Sequence, residues 1–92
     1  MHENVAINER LHRFEIETDG GTAQLVFHRG PSLLDLVHAE VPPQAEGRGF
    51  GSALVKAAMQ YAKEQRLRVI PSCPFVRQWL QRHHEYDDIV VR

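Results

Sequence analysis

The run Leu33-Leu34-Asp35-Leu36-Val37-His38-Ala39-Glu40-Val41-Pro42-Pro43, continued by Gln44-Ala45-Glu46-Gly47-Arg48-Gly49-Phe50-Gly51, carries the main architectural signal of this chain. Its first part, residues 33–41, is an apolar strand, and Pro42-Pro43 ends it because proline gives no N–H to a ladder and restricts the residue before it. Beyond the glycines, Phe50, Leu54, Ala57, Ala58, Tyr61 and Ala62 recur at helical spacing, with Lys56, Gln60, Lys63 and Glu64 on the other side. This predicts an amphipathic helix over residues 49–65. Leu67-Arg68-Val69-Ile70 then reads as a short strand, and a strand-helix-strand order with so long a crossover makes the two strands parallel. Pro74 suits the first position of a second, short helix, with Phe75/Trp79 and Val76/Leu80 as i, i+4 apolar pairs. The tail over residues 84–92 shows no period that selects helix or strand.

Upstream, Arg13 to Thr18 alternates Phe14, Ile16 and Thr18 with Arg13, Glu15 and Glu17, the period of a half-buried strand. Asp19-Gly20-Gly21 supplies the positive φ that a tight hairpin asks for. A return strand over residues 22–28 places Ala23, Leu25 and Phe27 on one face, and Arg29-Gly30-Pro31-Ser32 turns the chain into residue 33. Residues 1–9 are expected to be a flexible lead, a mobile end or lead-in strand, and residues 10–92 the single domain. The expected class is α+β with an α/β element: a mixed sheet, an antiparallel meander followed by a β-α-β unit with parallel central strands and a second short helix.

The 92 residues leave room for one small domain, whose folding removes about 60–65% of the unfolded chain's surface from water. Eleven Lys+Arg against 12 Asp+Glu give a formal charge of −1, without the basic field of a nucleic-acid binder. No window approaches the apolar length of a membrane span, and no signal-peptide pattern opens the chain. Cys73 is the single cysteine and has no partner for an intrachain disulfide, so a reducing, cytoplasmic setting is expected.

Glycines 47, 49 and 51 alternate into a helix start, where bare N–H groups and the helix dipole can cradle a phosphate or pyrophosphate, with Arg48 adding a charge. The plain alternative is a glycine-rich turn. A Walker A loop is excluded by the missing Gly-Lys-Ser/Thr. A dinucleotide fingerprint fits poorly, because Ser52 stands at the third glycine and no acidic residue ends the strand at 67–70. His38 and Glu40 lie two apart on the long strand, on one face and about 6.6–7 Å apart, a pair that can relay a proton or can simply be a half-buried histidine beside an edge carboxylate. Asp35 is expected on the opposite face. Cys73, just before Pro74, stands near the second helix's N-cap, where the positive helix end favours the thiolate; otherwise it is a small core residue. Parallel strands gather their C-terminal ends, so the Gly47 loop, the end of the His38 strand and Cys73 should share one rim. Trp79, Phe75, Leu80 and Tyr61 read as core. His83-His84 is a surface pair without the ligands a metal site needs. Arg66, Arg68, Arg77 and Arg82 are a solvated basic fringe or a rim cluster able to hold an anion.

Four segments together resemble the small GNAT-like N-acetyltransferase family, compact single-domain relatives of the GNAT acetyltransferases. They are residues 38–43, residues 44–55, Val69-Ile70-Pro71-Ser72-Cys73-Pro74-Phe75-Val76, and Arg82-His83-His84-Glu85-Tyr86. The resemblance spans roughly residues 10–88. It implies an acetyl-CoA or coenzyme A site in which Gln44, Gly47 and Gly49 match the pyrophosphate motif Gln/Arg-x-x-Gly-x-Gly/Ala. It also implies that Val41, Arg48, Gly51, Ser52, Cys73 and Phe75 line the cofactor, with the thioester arm wedged between the splayed parallel strands. His38 and Cys73 are the catalytic candidates it implies, and the spacing on the strand adds Glu40 beside His38. His84 stands where relatives often carry proline, and Ala39 where they often carry threonine.

The expected activity is acetyl transfer to an amine acceptor, a protein or peptide amine among the candidates, by a monomer or weak homodimer. No nucleic acid, membrane or metal partner is expected. Beside larger members, the resemblance leads one to expect neither helices before the hairpin nor terminal strands to enclose the acceptor, so a CoA-binding regulatory or interaction module with little turnover is the alternative.

Overall fold

The computed structural model describes residues 4–91. Its five strands are β1 (Ala6–Asn8), β2 (Arg13–Thr18), β3 (Gly21–Arg29), β4 (Leu33–Glu40) and β5 (Arg68–Pro71), and its helices are α1 (Phe50–Gln65) and α2 (Pro74–Leu80). The strands run in the order β1-β2-β3-β4-β5, antiparallel up to β4 and parallel between β4 and β5. The meander and the β-α-β unit thus stand as the sequence predicts. The lead over residues 1–9 falls partly outside the described residues, and within the rest Ala6–Asn8 pairs with β2.

Alternation along β2 and β3 sends Phe14, Ile16, Ala23, Leu25 and Phe27 into the core, where they meet Leu34, Leu36 and Val69. Helix α1 lays Leu54, Val55, Ala58, Met59 and Ala62 over this face, and α2 adds Val76, Trp79 and Leu80. Each large apolar side chain so buried contributes about 1.5–3 kcal/mol. The tail, which the sequence left undecided, folds into a 3-10 segment over His84–Ile89, buries Tyr86, and ends with Val90 bridged in parallel to Val69 beyond β5.

The hairpin differs from expectation in one detail. Of Asp19, Gly20 and Gly21, only Gly21 has positive φ (125°), so the left-handed step falls where the chain re-enters the strand, not in the turn itself. Thr18 pairs with Gly21, and its hydroxyl donates to the Gly21 carbonyl at 2.6 Å.

A larger departure lies in β4. Val26 pairs with His38 but Phe27 with Leu36, so β4 carries one extra residue, Val37, as a bulge. The extra residue reverses the parity of everything after it. Leu34 and Leu36 face the core, and beyond the bulge Ala39 and Val41 pack against it, while His38 and Glu40 are exposed. Asp35, paired with His28, therefore shares the uncovered face with His38 and Glu40, which corrects the expectation that it lies opposite them.

Helix α1 ends in a Schellman arrangement. Leu67 N–H reaches the Ala62 carbonyl at 2.8 Å and Arg66 N–H the Lys63 carbonyl at 3.2 Å, with Arg66 at φ 57°. Left-handed geometry is unfavourable for a residue with a Cβ. Replacing Arg66 with glycine is expected to stabilise the protein by about 0.5–1 kcal/mol, read as a higher midpoint in urea unfolding.

Candidate functional site

Pairing between β4 and β5 runs from Leu33↔Arg68 to Leu36↔Pro71 and stops there. Beyond it β4 continues to Glu40, past its bulge, while the segment after β5 turns into α2. At the root of this fork the Cys73 N–H donates to the Leu36 carbonyl at 2.9 Å, and Ser72 Oγ donates to Asp35 Oδ1 at 2.6 Å.

The open edge of β4 follows from ladder parity. Phe27 N–H bonds to the His12 carbonyl on the β2 side at 2.9 Å, so the odd-numbered residues of β3 bond towards β2 and the even-numbered ones towards β4. Gln24 and Val26 pair with Glu40 and His38, which consumes the main-chain groups of those two residues. The main-chain N–H and C=O of Ala39 consequently point away from β3, into the fork, where no strand pairs with them.

Alongside that edge lies a cleft of about 400 Å³ lined by Ala39, Val41, the loop residues Ala45, Glu46, Gly47 and Gly49, the start of α1, and Phe75. Gly47 and Gly49 take φ of 82° and 83°, and a Cβ at Gly47 would meet nothing within 4 Å. The first turn of α1 has no side-chain cap and no acidic residue, so its N–H groups and dipole favour an anion. Phe75 projects its ring over this helix start: a Cβ on Gly51 would lie 2.8 Å from Phe75 Cζ, which makes the glycine a matter of space. At 41% exposure Phe75 is a wall of the cleft and not the core residue its spacing suggested. Tyr61 is half-buried, with a cation–π contact from Arg29, whereas Trp79 and Leu80 are core as expected.

The sequence candidates divide accordingly. Val41, Gly47, Gly49, Gly51, Ser52 and Phe75 line the cleft. Gln44 packs at the β2–β3 turn, its Cβ and Oε1 each 3.0 Å from where a Gly20 Cβ would stand. Arg48, half-exposed, lies 4.0 Å from Asp19 of the same turn. Cys73 is buried at the N-cap of α2, a free thiol packed into the core cluster beside the fork. His38 and Glu40 stand on the uncovered face of the sheet, where Glu40 accepts a hydrogen bond from Gln24 Nε2 at 3.1 Å. Ala39, Ala45, Glu46 and Phe50 also line the cleft. None of them was singled out from the sequence, although Ala39 lies at the strand end expected to hold the thioester arm and the other three lie within the glycine segment.

A family model described as GCN5-related N-acetyl-transferase matches residues 13–89. The chain belongs to this family. Among curated proteins it is similar to Protein NATD1 of Bos taurus, 29% identical over 79 residues that span 83% of this chain and 70% of that protein. Protein NATD1 of Xenopus tropicalis is 33% identical over 54 residues, 59% of this chain and 50% of its own length. Among solved structures, the solution NMR structure of a GCN5-like protein from Staphylococcus aureus superposes with a TM-score of 0.73 at 26% identity, covering 98% of this chain and 91% of that one.

Proposed function

We propose that the protein is an acetyl-CoA-dependent N-acetyltransferase acting on an amine. The observation that carries this reading is the fork between β4 and β5, with its open main-chain edge at Ala39 and an uncapped helix start beside it. The residues fit coenzyme A: an extended arm with amide groups can pair with Ala39 as a further strand would, and its pyrophosphate suits the Gly47–Gly49 turn and the first turn of α1. Acetyl-CoA, when bound, supplies the thioester.

The protein's own groups do the rest. The Ala39 N–H, directed into the fork, is placed to hold a carbonyl oxygen that gains negative charge. His38, with Glu40 beside it, takes the amine proton directly or through a water from the uncovered face, so that acceptor and cofactor approach from opposite sides of the sheet. Direct transfer is the default route. A variant in which Cys73 carries the acetyl group transiently would show ping-pong kinetics.

Incubation with acetyl-CoA and peptide amines is expected to release free CoA thiol in an amine-dependent manner. Binding of acetyl-CoA with no release, whatever amine is supplied, would overturn the reading as an enzyme. Cys73→Ala separates the two routes. Direct transfer should keep most of the rate, with about 1 kcal/mol of stability lost from the core, whereas an acyl-cysteine route should lose nearly all turnover.

A further inference from the structure

Strand β4 runs towards the cleft and α1 runs away from it, so the opposite end of the molecule is made of three chain reversals: residues 9–12 between β1 and β2, residues 30–32 between β3 and β4, and residues 66–67 between α1 and β5. Hydrogen bonds tie these reversals to their neighbours. The Phe27 N–H bonds to the His12 carbonyl at 2.9 Å, the Arg68 N–H to the Ser32 carbonyl at 2.9 Å, and the Arg29 guanidinium donates to the Tyr61 hydroxyl near the end of α1. The first reversal is itself fixed, because the Leu11 N–H donates to Asn8 Oδ1 at 3.0 Å.

Charge is segregated towards this end. Arg10, Arg29, Arg66 and Arg68 are exposed there with Lys63, and the carboxylates beside them are Glu9 and Glu64. Arg10, Arg66 and Arg68 enter no ion pair among the described residues, and Asp35, farther along β4, accepts the Ser72 hydroxyl. A formal charge of −1 for the whole chain conceals this separation.

Apolar exposure follows the same division. Among the described residues the exposed large apolar side chains are Phe75, in the cleft wall, and Leu11 and Leu33, 48% and 37% exposed, both at the basic end. Leu11 follows Arg10 in the chain, and Leu33 pairs with Arg68 across the sheet. A nucleic-acid backbone would engage the arginines but gives leucine nothing apolar to enter. A leaflet of anionic lipid takes both, the leucines passing below the headgroups while the guanidinium groups stay level with them.

We propose that this basic end docks the protein on an anionic lipid surface. The cleft, at the other end of β4, then faces away from the bilayer, and the docking is independent of what the cleft binds.

Sedimentation of the full chain with vesicles of phosphatidylcholine alone, and of equal parts phosphatidylcholine and phosphatidylserine, tests it. The wild type should partition onto the mixed vesicles only, and added salt should release it. Each basic side chain at such a surface is worth about fivefold in affinity, so the double variant Arg10→Gln/Arg68→Gln should bind about 25-fold more weakly. Leu11→Gln should cost about tenfold. Arg10→Lys/Arg68→Lys should bind as the wild type does, since a leaflet reads charge and not the planar fork. Equal partition onto both vesicles, partition onto neither, or binding to the mixed vesicles that the glutamine variants leave unchanged overturns the proposal. A duplex oligonucleotide or polyglutamate held through the same arginines, with the mixed vesicles unbound, overturns it in favour of a nucleic acid or an acidic protein segment.

Discussion

Gly49→Val is expected to weaken CoA binding by about 100-fold and to lower folding stability by about 1–3 kcal/mol. Gly49 is the N-cap of α1 at φ 83°, a conformation that a β-branched residue adopts only under strain. The helix start would shift to relieve it, and the N–H groups aimed at the cleft would move with it. Charge-assisted hydrogen bonds contribute about 1.5–3 kcal/mol each, so losing the alignment of one or two accounts for the loss of affinity. Titration calorimetry and thermal unfolding on the same sample separate the two effects. Unchanged CoA affinity in a destabilised variant would mean that the glycine loop serves the fold alone.

Deleting Val37 should have the opposite signature, a retained fold with function lost. Removing the extra residue restores regular pairing between β3 and β4 yet leaves every side chain on its present face: Leu36 and Ala39 inward, His38 and Glu40 outward. The core therefore loses no buried group, and cooperative unfolding should persist. What disappears is the bend with which β4 leaves β5. Ala39 would then move by an ångström or more relative to the Gly47 loop, and misplacement on that scale costs about 100-fold in rate. Amine-dependent thiol release from acetyl-CoA measures the loss, and Val37→Ala, which keeps the bulge, is the control expected to stay within a few-fold of the wild type. Wild-type turnover in the deletion variant would show that the fork does not depend on the bulge.

These two positions mark the boundary of what could be read from the chain itself. Local periodicity was sufficient for β2, β3, β4, β5 and both helices, because each buries one face, and a buried face writes its period of two or of 3.6 into the order of apolar residues. Punctuation worked for the same local reason: Pro42-Pro43 ends β4, Pro74 opens α2, and the glycines precede α1. The tail gave no such signal, since a short 3-10 segment followed by a single bridge at Val90 depends on Val69 being there to receive it.

The site was legible where it is backbone and illegible where it depends on register. Gly47, Gly49 and Gly51 mark the proposed anion cradle because glycine combines positive φ or tight clearance with exposed N–H groups at least cost, a property of single residues. Ala39, the exposed ring of Phe75 and the facing of Asp35 could not be read in this way. A bulge at Val37 leaves no mark in the alternation of one strand, because it is defined by the partner strand across which Val26 meets His38 and Phe27 meets Leu36. The order of strands and helices, and the place of the glycine loop between them, are thus determined by the sequence alone through local conformational preference. Which side of β4 faces the cleft, that β4 and β5 part beyond Leu36, and that Arg10, Arg29 and Arg68 come to stand at one end of the sheet were decided only by tertiary structure, since each is a relation between segments far apart in the chain.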